Sequence, residues 1–135
     1  MLADFDAERD LTITRIIRAP RARLWQAWTD PAQLARWFLP EPSILRVDRL
    51  EVRPGGALLT SMSEDGGSFV PHIDGLFLDV EEGRRLVYTN VVTSSFRPAD
   101  PGFMTAIISF ADHPNGTDYT AHVMHRSPAD RQMHE

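Results

Sequence analysis

Two short apolar helices set end to end are the most restrictive feature of this sequence. Pro20 and Pro31 suit first helical positions, where the backbone amide has no partner in any case. Asp30, followed three residues later by Gln33, is a capping box that marks the start of the second helix. The predicted apolar stripes are Leu24, Trp25 and Trp28 in the first helix and Leu34, Trp37 and Phe38 in the second. Helices this short cannot build a core between themselves, so the remaining chain must supply a sheet for them to cover.

Seven segments with strand-like patterning accompany the helices, one before them and six after them. They cover residues 11–18, 44–53, 57–63, 68–80, 84–93, 103–111 and 117–126. Turn signals such as RPGG at residues 53–56 and NG at residues 115–116 separate consecutive segments by short connections, as hairpins require. The sequence therefore predicts an α+β fold: a seven-stranded antiparallel meander with both short helices between strands one and two.

Composition limits the classes of function. The 135 residues, 42% of them hydrophobic, are typical of one globular domain spanning residues 1–135. The net charge of −5 argues against a nucleic acid partner, which requires a basic surface. No apolar run approaches the ~20 residues of a membrane span, and the first ten residues are too acidic for a signal peptide, so we expect a cytoplasmic protein. Cysteine and lysine are absent, which excludes thiolate nucleophiles and lysine Schiff bases.

The five histidines do not combine into a metal site. His122 and His125 are three residues apart, a spacing that points two side chains to opposite faces of a strand. Asp130 and His134 lie one helical turn apart, which favours a surface pair. The sequence contains neither a phosphate-binding glycine loop nor a GxSxG nucleophile motif. We therefore expect no metal and no cofactor.

The last residues predict a helix start. Ser127 is a cap, Pro128 suits the first helical position, and Asp130 lies in the first turn. Only five residues follow Asp130, and so short a helix is marginal in water. We expect a terminal helix that continues beyond Glu135 in a longer polypeptide; the alternative is a short terminal turn. Without a longer helix, a partner chain as in a homodimer, a swapped helix or a ligand would have to cover the apolar sheet face.

The motifs occur in an order that resembles a known family. LWxAWTDP at residues 24–31, LxxWF at 34–38, RPGG at 53–56 and RLVY at 85–88 are similar to the START-related SRPBCC superfamily. Within it, the match is to the homologues of the activator of heat-shock ATPase (the AHSA family). The resemblance implies a helix-grip fold, in which a strongly curved antiparallel sheet wraps around a C-terminal helix. It also implies an apolar cavity, whereas the chemistry of relatives varies from polyketide cyclases to lipid carriers.

His72, Asp74 and Tyr88 are the candidate polar groups of such a cavity. His72 and Asp74 are two residues apart on a predicted strand, so they are expected to share one face. On the concave face they would form an acid/base pair in an apolar pocket, whereas on the convex face they would be solvated. Tyr88 adds one directional hydroxyl on an apolar ring.

We expect a small hydrophobic or aromatic molecule as the partner, held in the internal cavity by a carrier or sensor. The predicted ligand-binding side chains are Trp28, Trp37, Phe38, His72, Asp74, Tyr88, Phe103 and His122. An alternative is a polyketide-cyclase-like or hydrolase-like enzyme that uses His72, Asp74 or Tyr88, and the sequence alone identifies no catalytic residue. A co-chaperone that stimulates a heat-shock ATPase ranks third, since the eukaryotic activators carry a further domain that is absent here.

Overall fold

The computed structural model describes residues 4–135, which form seven strands and three helices. In chain order these are β1 Asp10–Ile17, α1 Arg21–Thr29, α2 Pro31–Trp37, β2 Ile44–Leu50, β3 Ala57–Ser63, β4 Val70–Glu81, β5 Arg85–Thr89, β6 Met104–His113, β7 Gly116–His125 and α3 Pro128–His134. In this described part, no helix has the length and apolar character needed to cross a membrane.

All seven strands belong to one antiparallel sheet with the order β1-β7-β6-β5-β4-β3-β2. The predicted meander is confirmed, because β2 to β7 pair as consecutive neighbours and β1 adds to β7. The strands β1 and β2 are therefore opposite edges of the sheet, although only the two short helices separate them in sequence. The connection between them carries α1 and α2 across one end of the concave face, as in a helix-grip fold.

The predicted helix starts are confirmed with one shift. The Asp30 side chain accepts hydrogen bonds from the backbone N–H groups of Ala32 and Gln33, at 2.9 and 3.4 Å, and Pro31 opens α2. Pro20 precedes α1 as its cap instead of occupying the first turn, because its ψ of 152° is extended while its carbonyl already accepts from Leu24.

Trp28 is a central side chain among those through which the helices pack on the sheet. It is buried, and its ring lies 5.9 Å from that of Tyr88 on β5 and 5.8 Å from that of Phe38. In α2, Leu34 is buried as the apolar stripe predicts, but Trp37 remains 42% exposed. Its indole N–H donates to the Ala27 carbonyl at 2.8 Å, and its ring packs on the outer side of Trp28 at 4.8 Å. Trp37 thus covers the core without entering it.

The terminal helix starts where the sequence predicts. The Ser127 hydroxyl accepts from the Asp130 N–H at 3.2 Å, and Pro128 is the first residue of α3. The Arg131 guanidinium donates from Nε to the Asp10 carbonyl at 2.8 Å, which ties α3 to the start of β1. The expected continuation of this helix beyond Glu135 stays a prediction.

Gly75 permits the close approach of β4 to the end of β5, next to the site described below. A Cβ added at Gly75 would lie 2.0 Å from the backbone oxygen of Thr89. We expect Gly75→Ala to lower the free energy of unfolding by about 3 kcal/mol, because backbone must move to admit the methyl group. Urea unfolding followed by tryptophan fluorescence measures this change.

The matched control is Gly67→Ala, where the added Cβ would meet only the end of the Asp65 side chain, at 3.0 Å. Its expected effect is within about 0.5 kcal/mol. Equal urea midpoints for the two variants would contradict the close strand approach.

Candidate functional site

A half-open cavity of about 420 Å³ lies between the concave face of the sheet, the α1–α2 segment and α3. Its lining combines aromatic and aliphatic side chains with a few polar groups. The lining residues are Trp28, Phe38, His72, Ile73, Tyr88, Asn90, Phe103, Met104, Ile108, Tyr119, Ala121, Val123 and His134. The cavity arises because two short helices and a terminal helix of seven residues do not fill the whole concave face.

A bulge in β4 directs His72 into this cavity. Between the pairs Leu59↔Asp74 and Ser61↔Pro71, β3 advances two residues while β4 advances three, so Thr60 faces both His72 and Ile73. Such a bulge interrupts the strict alternation of faces, and both residues line the cavity. The Thr60 hydroxyl oxygen lies 3.0 Å from His72 Nδ1 and accepts from the Ile73 N–H at 3.1 Å, which holds the bulge in place.

The same bulge separates Asp74 from His72. Asp74 is exposed and outside the cavity lining, and its Oδ1 accepts from the Ser94 N–H at 2.8 Å and from the Ser94 hydroxyl at 2.6 Å. The predicted shared face of His72 and Asp74 is therefore wrong, because the extra residue in β4 resets the alternation between them. No carboxylate accompanies the imidazole in the cavity lining.

Tyr88, Tyr119 and Asn90 supply the hydrogen-bonding groups of the cavity wall. Within residues 4–135, the Tyr88 hydroxyl takes part in no hydrogen bond, although the residue is only 5% exposed. Burial raises the pKa of Tyr88 far above its ordinary value and also raises the pKa of Tyr119. Both phenols therefore stay protonated and act as donors at neutral pH. Asn90 uses its side-chain oxygen to accept from the N–H groups of Phe103 and Met104, at 3.2 and 2.9 Å.

His134 forms the wall contributed by α3. Its Nδ1 lies 2.7 Å from Nε2 of His125, and its ring packs 5.3 Å from that of Phe103. The surface pair that we expected with Asp130 does not form, because the Asp130 carboxylate binds Arg126 at 3.0 Å instead. Burial, and then the adjacent His125, lower the pKa of His134 below its ordinary value.

Five of the eight predicted ligand-binding side chains meet at the cavity, and three lie elsewhere. Those that line it are Trp28, Phe38, His72, Tyr88 and Phe103. Those outside the lining are Trp37, Asp74 and His122.

His122 lies on the outer face of the sheet, as strand alternation from Ala121 and Val123 requires. Its Nε2 is 2.8 Å from Asp10 Oδ2, and the Phe5 ring covers it at 5.6 Å. His122 and His125 thus point to opposite faces, as their spacing predicts. Among residues 4–135, no three histidine, aspartate or glutamate side chains lie close enough together to hold a metal ion.

Sequence reasoning missed Asn90, Tyr119 and His134. The signal for the first two was present, since Asn90 lies two residues beyond Tyr88, and Tyr119 alternates with Ala121 along β7. His134 had no comparable signal, because its position depends on how α3 folds back on β7.

The lowered pKa of His72 predicts a pH dependence of stability. Burial lowers this pKa below its ordinary value of about 6.5, so the unfolded chain binds a proton at a higher pH than the folded chain does. Stability is therefore lost as the pH falls from about 6.5 to the folded-state pKa. We expect His72→Gln to lose less stability than the wild type between pH 7 and pH 5, measured by urea unfolding.

His113→Gln is the control, because His113 is the last residue of β6 and lies outside the cavity lining. It should retain the wild-type loss of stability. If His72→Gln and the wild type lose the same stability on acidification, the interpretation that His72 is buried as a neutral imidazole is wrong.

The comparisons with known proteins agree with the fold. Protein NE0264 from Nitrosomonas europaea is 37% identical to this chain, with a TM-score of 0.88 over 98% of this chain and 85% of that one. Protein Ms6760 from Mycobacterium smegmatis is 27% identical, with a TM-score of 0.75 over 93% and 78% of the two chains. An AHSA1-like protein from Aeromonas hydrophila, 24% identical over 93% and 83%, shares the fold with a TM-score of 0.68. No functionally curated protein matches the sequence.

The family described as "Activator of Hsp90 ATPase homolog 1-like protein" matches residues 18–135. That match includes both short helices, six of the seven strands and α3. The chain therefore belongs to this family, within the SRPBCC superfamily.

Proposed function

We propose that this protein binds a small hydrophobic or aromatic molecule in the concave cavity, as a carrier or sensor. The observation that supports this most directly is the cavity itself, whose apolar walls include Tyr88, a residue only 5% exposed. The Tyr88 hydroxyl forms no hydrogen bond within residues 4–135, so it is free to donate to a ligand. Such a hydrogen bond would fix the orientation of a ligand that the apolar walls hold.

The size and lining of the cavity suit such a ligand. Small-molecule sites commonly measure about 300–1,000 Å³, with apolar walls and a few polar groups that fix orientation. This cavity measures about 420 Å³, and its walls include Trp28, Ile108 and Val123. Each 100 Å² of apolar ligand surface buried there would contribute about 2.5 kcal/mol. His72, Tyr88 and other polar side chains along the wall would then set the orientation.

An enzyme remains the second candidate, and His72 and Tyr88 are the observation in its favour, because both line the cavity. Asp74 is hydrogen bonded to Ser94 outside the lining, so the cavity does not contain the carboxylate of the predicted acid/base pair. The raised pKa of Tyr88 keeps the phenol protonated, which suits a donor and not a general base. Ligand binding requires neither a carboxylate beside His72 nor a general base, and it is therefore the preferred function.

A substitution that fills the cavity tests the proposal. Ala121 lies at the cavity wall, and Ala121→Phe would place a ring in the space that the ligand needs. We expect the wild type to bind N-phenyl-1-naphthylamine, a neutral fluorescent probe, at one site per chain. Ala121→Phe should weaken this binding at least tenfold, measured by fluorescence titration with circular dichroism as the check on folding.

The matched control is Ala111→Phe, since Ala111 is exposed on β6 and is not part of the lining. It should bind the probe as the wild type does. A wild type that does not bind, or equal binding by both variants, would overturn the assignment of the cavity. Incubation of a bound compound followed by mass spectrometry distinguishes the two candidates, because a carrier returns it unchanged and an enzyme does not.

The co-chaperone hypothesis has a separate test. The family description refers to an activator of Hsp90 ATPase. The test measures the ATPase rate of Hsp90 with and without this protein. A higher rate in its presence would support the co-chaperone hypothesis, and an unchanged rate would contradict it.

A further inference from the structure

Two histidines form a bridge between β7 and α3 at the edge of the cavity. His125 is buried, and its Nδ1 lies 2.8 Å from the backbone oxygen of Arg9. Its Nε2 lies 2.7 Å from His134 Nδ1. The Phe103 ring packs against both imidazoles, at 5.4 and 5.3 Å. Of this pair, His134 lines the cavity.

These contacts fix which ring nitrogens carry hydrogen when both imidazoles are neutral. A carbonyl oxygen only accepts, so the Arg9 contact requires a hydrogen on His125 Nδ1. A neutral imidazole has one N–H, which makes His125 Nε2 an acceptor. His134 must therefore donate from Nδ1, and its remaining nitrogen, Nε2, has a free lone pair. No hydrogen bond to that Nε2 forms within residues 4–135.

One added proton reverses the role of that atom. If His134 takes the proton, Nε2 carries it directly. If His125 takes it, His125 Nε2 becomes a donor to His134 Nδ1, and His134 then holds its hydrogen on Nε2. In either arrangement His134 Nε2 changes from an acceptor into a donor. The two imidazoles therefore act as one unit, because protonation of either one places a hydrogen on His134 Nε2.

We propose that His134 Nε2 is a hydrogen-bond acceptor for the ligand, which selects apolar molecules that carry an acidic hydroxyl group, such as a phenol or an enol. This inference rests on the proposed function, because it assigns the ligand class of the same cavity. The phenols of Tyr88 and Tyr119 are donors on the sheet side of the same cavity, so the cavity lining offers both donors and an acceptor to a ligand hydroxyl. A hydroxyl group, which both donates and accepts, satisfies the two sides together.

The surroundings favour a neutral His134 at neutral pH. Burial, followed by His125, lowers the pKa of His134. The other titratable groups of the cavity are His72 from β4, Tyr88 from β5 and Tyr119 from β7. Around α3, Arg131 pairs with Glu135, which follows the helix, and Asp130 pairs with Arg126, which precedes it, so these charges are already compensated.

The first test reads the hydrogens directly on the whole protein. Long-range ¹H–¹⁵N NMR correlation of ¹⁵N-histidine-labelled protein at pH 8 distinguishes the two neutral forms of each imidazole. We expect both His125 and His134 to carry hydrogen on Nδ1, the less common form in peptides. A hydrogen on Nε2 of His134 at this pH would overturn the proposal, and no variant or ligand enters this measurement.

The second test compares two probes of nearly equal shape. 2-Naphthol has a hydroxyl donor, and 2-methoxynaphthalene has none. The measured quantity is the ratio of their dissociation constants at pH 7.5, for the wild type, for His134→Leu and for the control His113→Leu. We expect His134→Leu to reduce the preference for 2-naphthol roughly fivefold, the value of one hydrogen bond, and the control to leave it unchanged.

The pH dependence identifies the responsible histidine. At pH 5 the wild type should lose its preference for 2-naphthol, while His134→Leu should show no further change. A pH dependence that persists in His134→Leu would assign the effect to His72 and overturn the proposal. The proposal is also overturned if both probes bind and the ratio of their dissociation constants is equal in the wild type and in His134→Leu. If neither probe binds to the wild type, the proposed function itself fails and this inference fails with it.

Discussion

The packing of Trp28 against Tyr88 is the interaction on which the arrangement depends. The edges β1 and β2 are far apart in the sheet, and only the α1–α2 segment joins them across the concave face. Trp28 fastens this segment to β5, with the rings 5.9 Å apart, and Trp37 and Phe38 pack around it in turn. Trp25 adds a second contact, on Phe110 of β6 at 5.9 Å, and the concave face beyond these contacts is left open. The cavity exists because the three short helices cover only part of the concave face.

The elements of the fold were predictable because their signals are local. Asp30 and Ser127 cap helices through side-chain contacts with residues two or three positions ahead, and alternation along β6 and β7 follows from the period of a strand. The split of His72 from Asp74 was not predictable, because a bulge depends on the register between two strands. The sequence of β4 alone does not show that Thr60 on β3 lies opposite both His72 and Ile73.

The candidate site was predictable to the extent that it follows strand faces. Tyr88 lies on β5 and Phe103 directly precedes β6, and both of these predicted ligand-binding side chains line the cavity. Trp37 was expected inside on helical periodicity alone, but its indole N–H donates to the Ala27 carbonyl and its ring covers Trp28 from outside. His134 reaches the cavity through a tertiary contact with His125, whereas its spacing of one helical turn from Asp130 indicated a different partner.

The polar groups of the cavity have a common physical logic. An apolar wall supplies affinity without direction, whereas a buried donor or acceptor supplies direction at the cost of its lost hydration. Tyr88 presents a donor that burial keeps protonated, and the hydrogen bonds of His125 leave His134 with an unprotonated nitrogen. Both residues line one cavity. Under the proposed function, a ligand hydroxyl would accept from Tyr88 and donate to His134, whereas a pure hydrocarbon would pair with neither. Selectivity for a hydroxyl would then come from these two polar groups, and the apolar wall would supply the affinity.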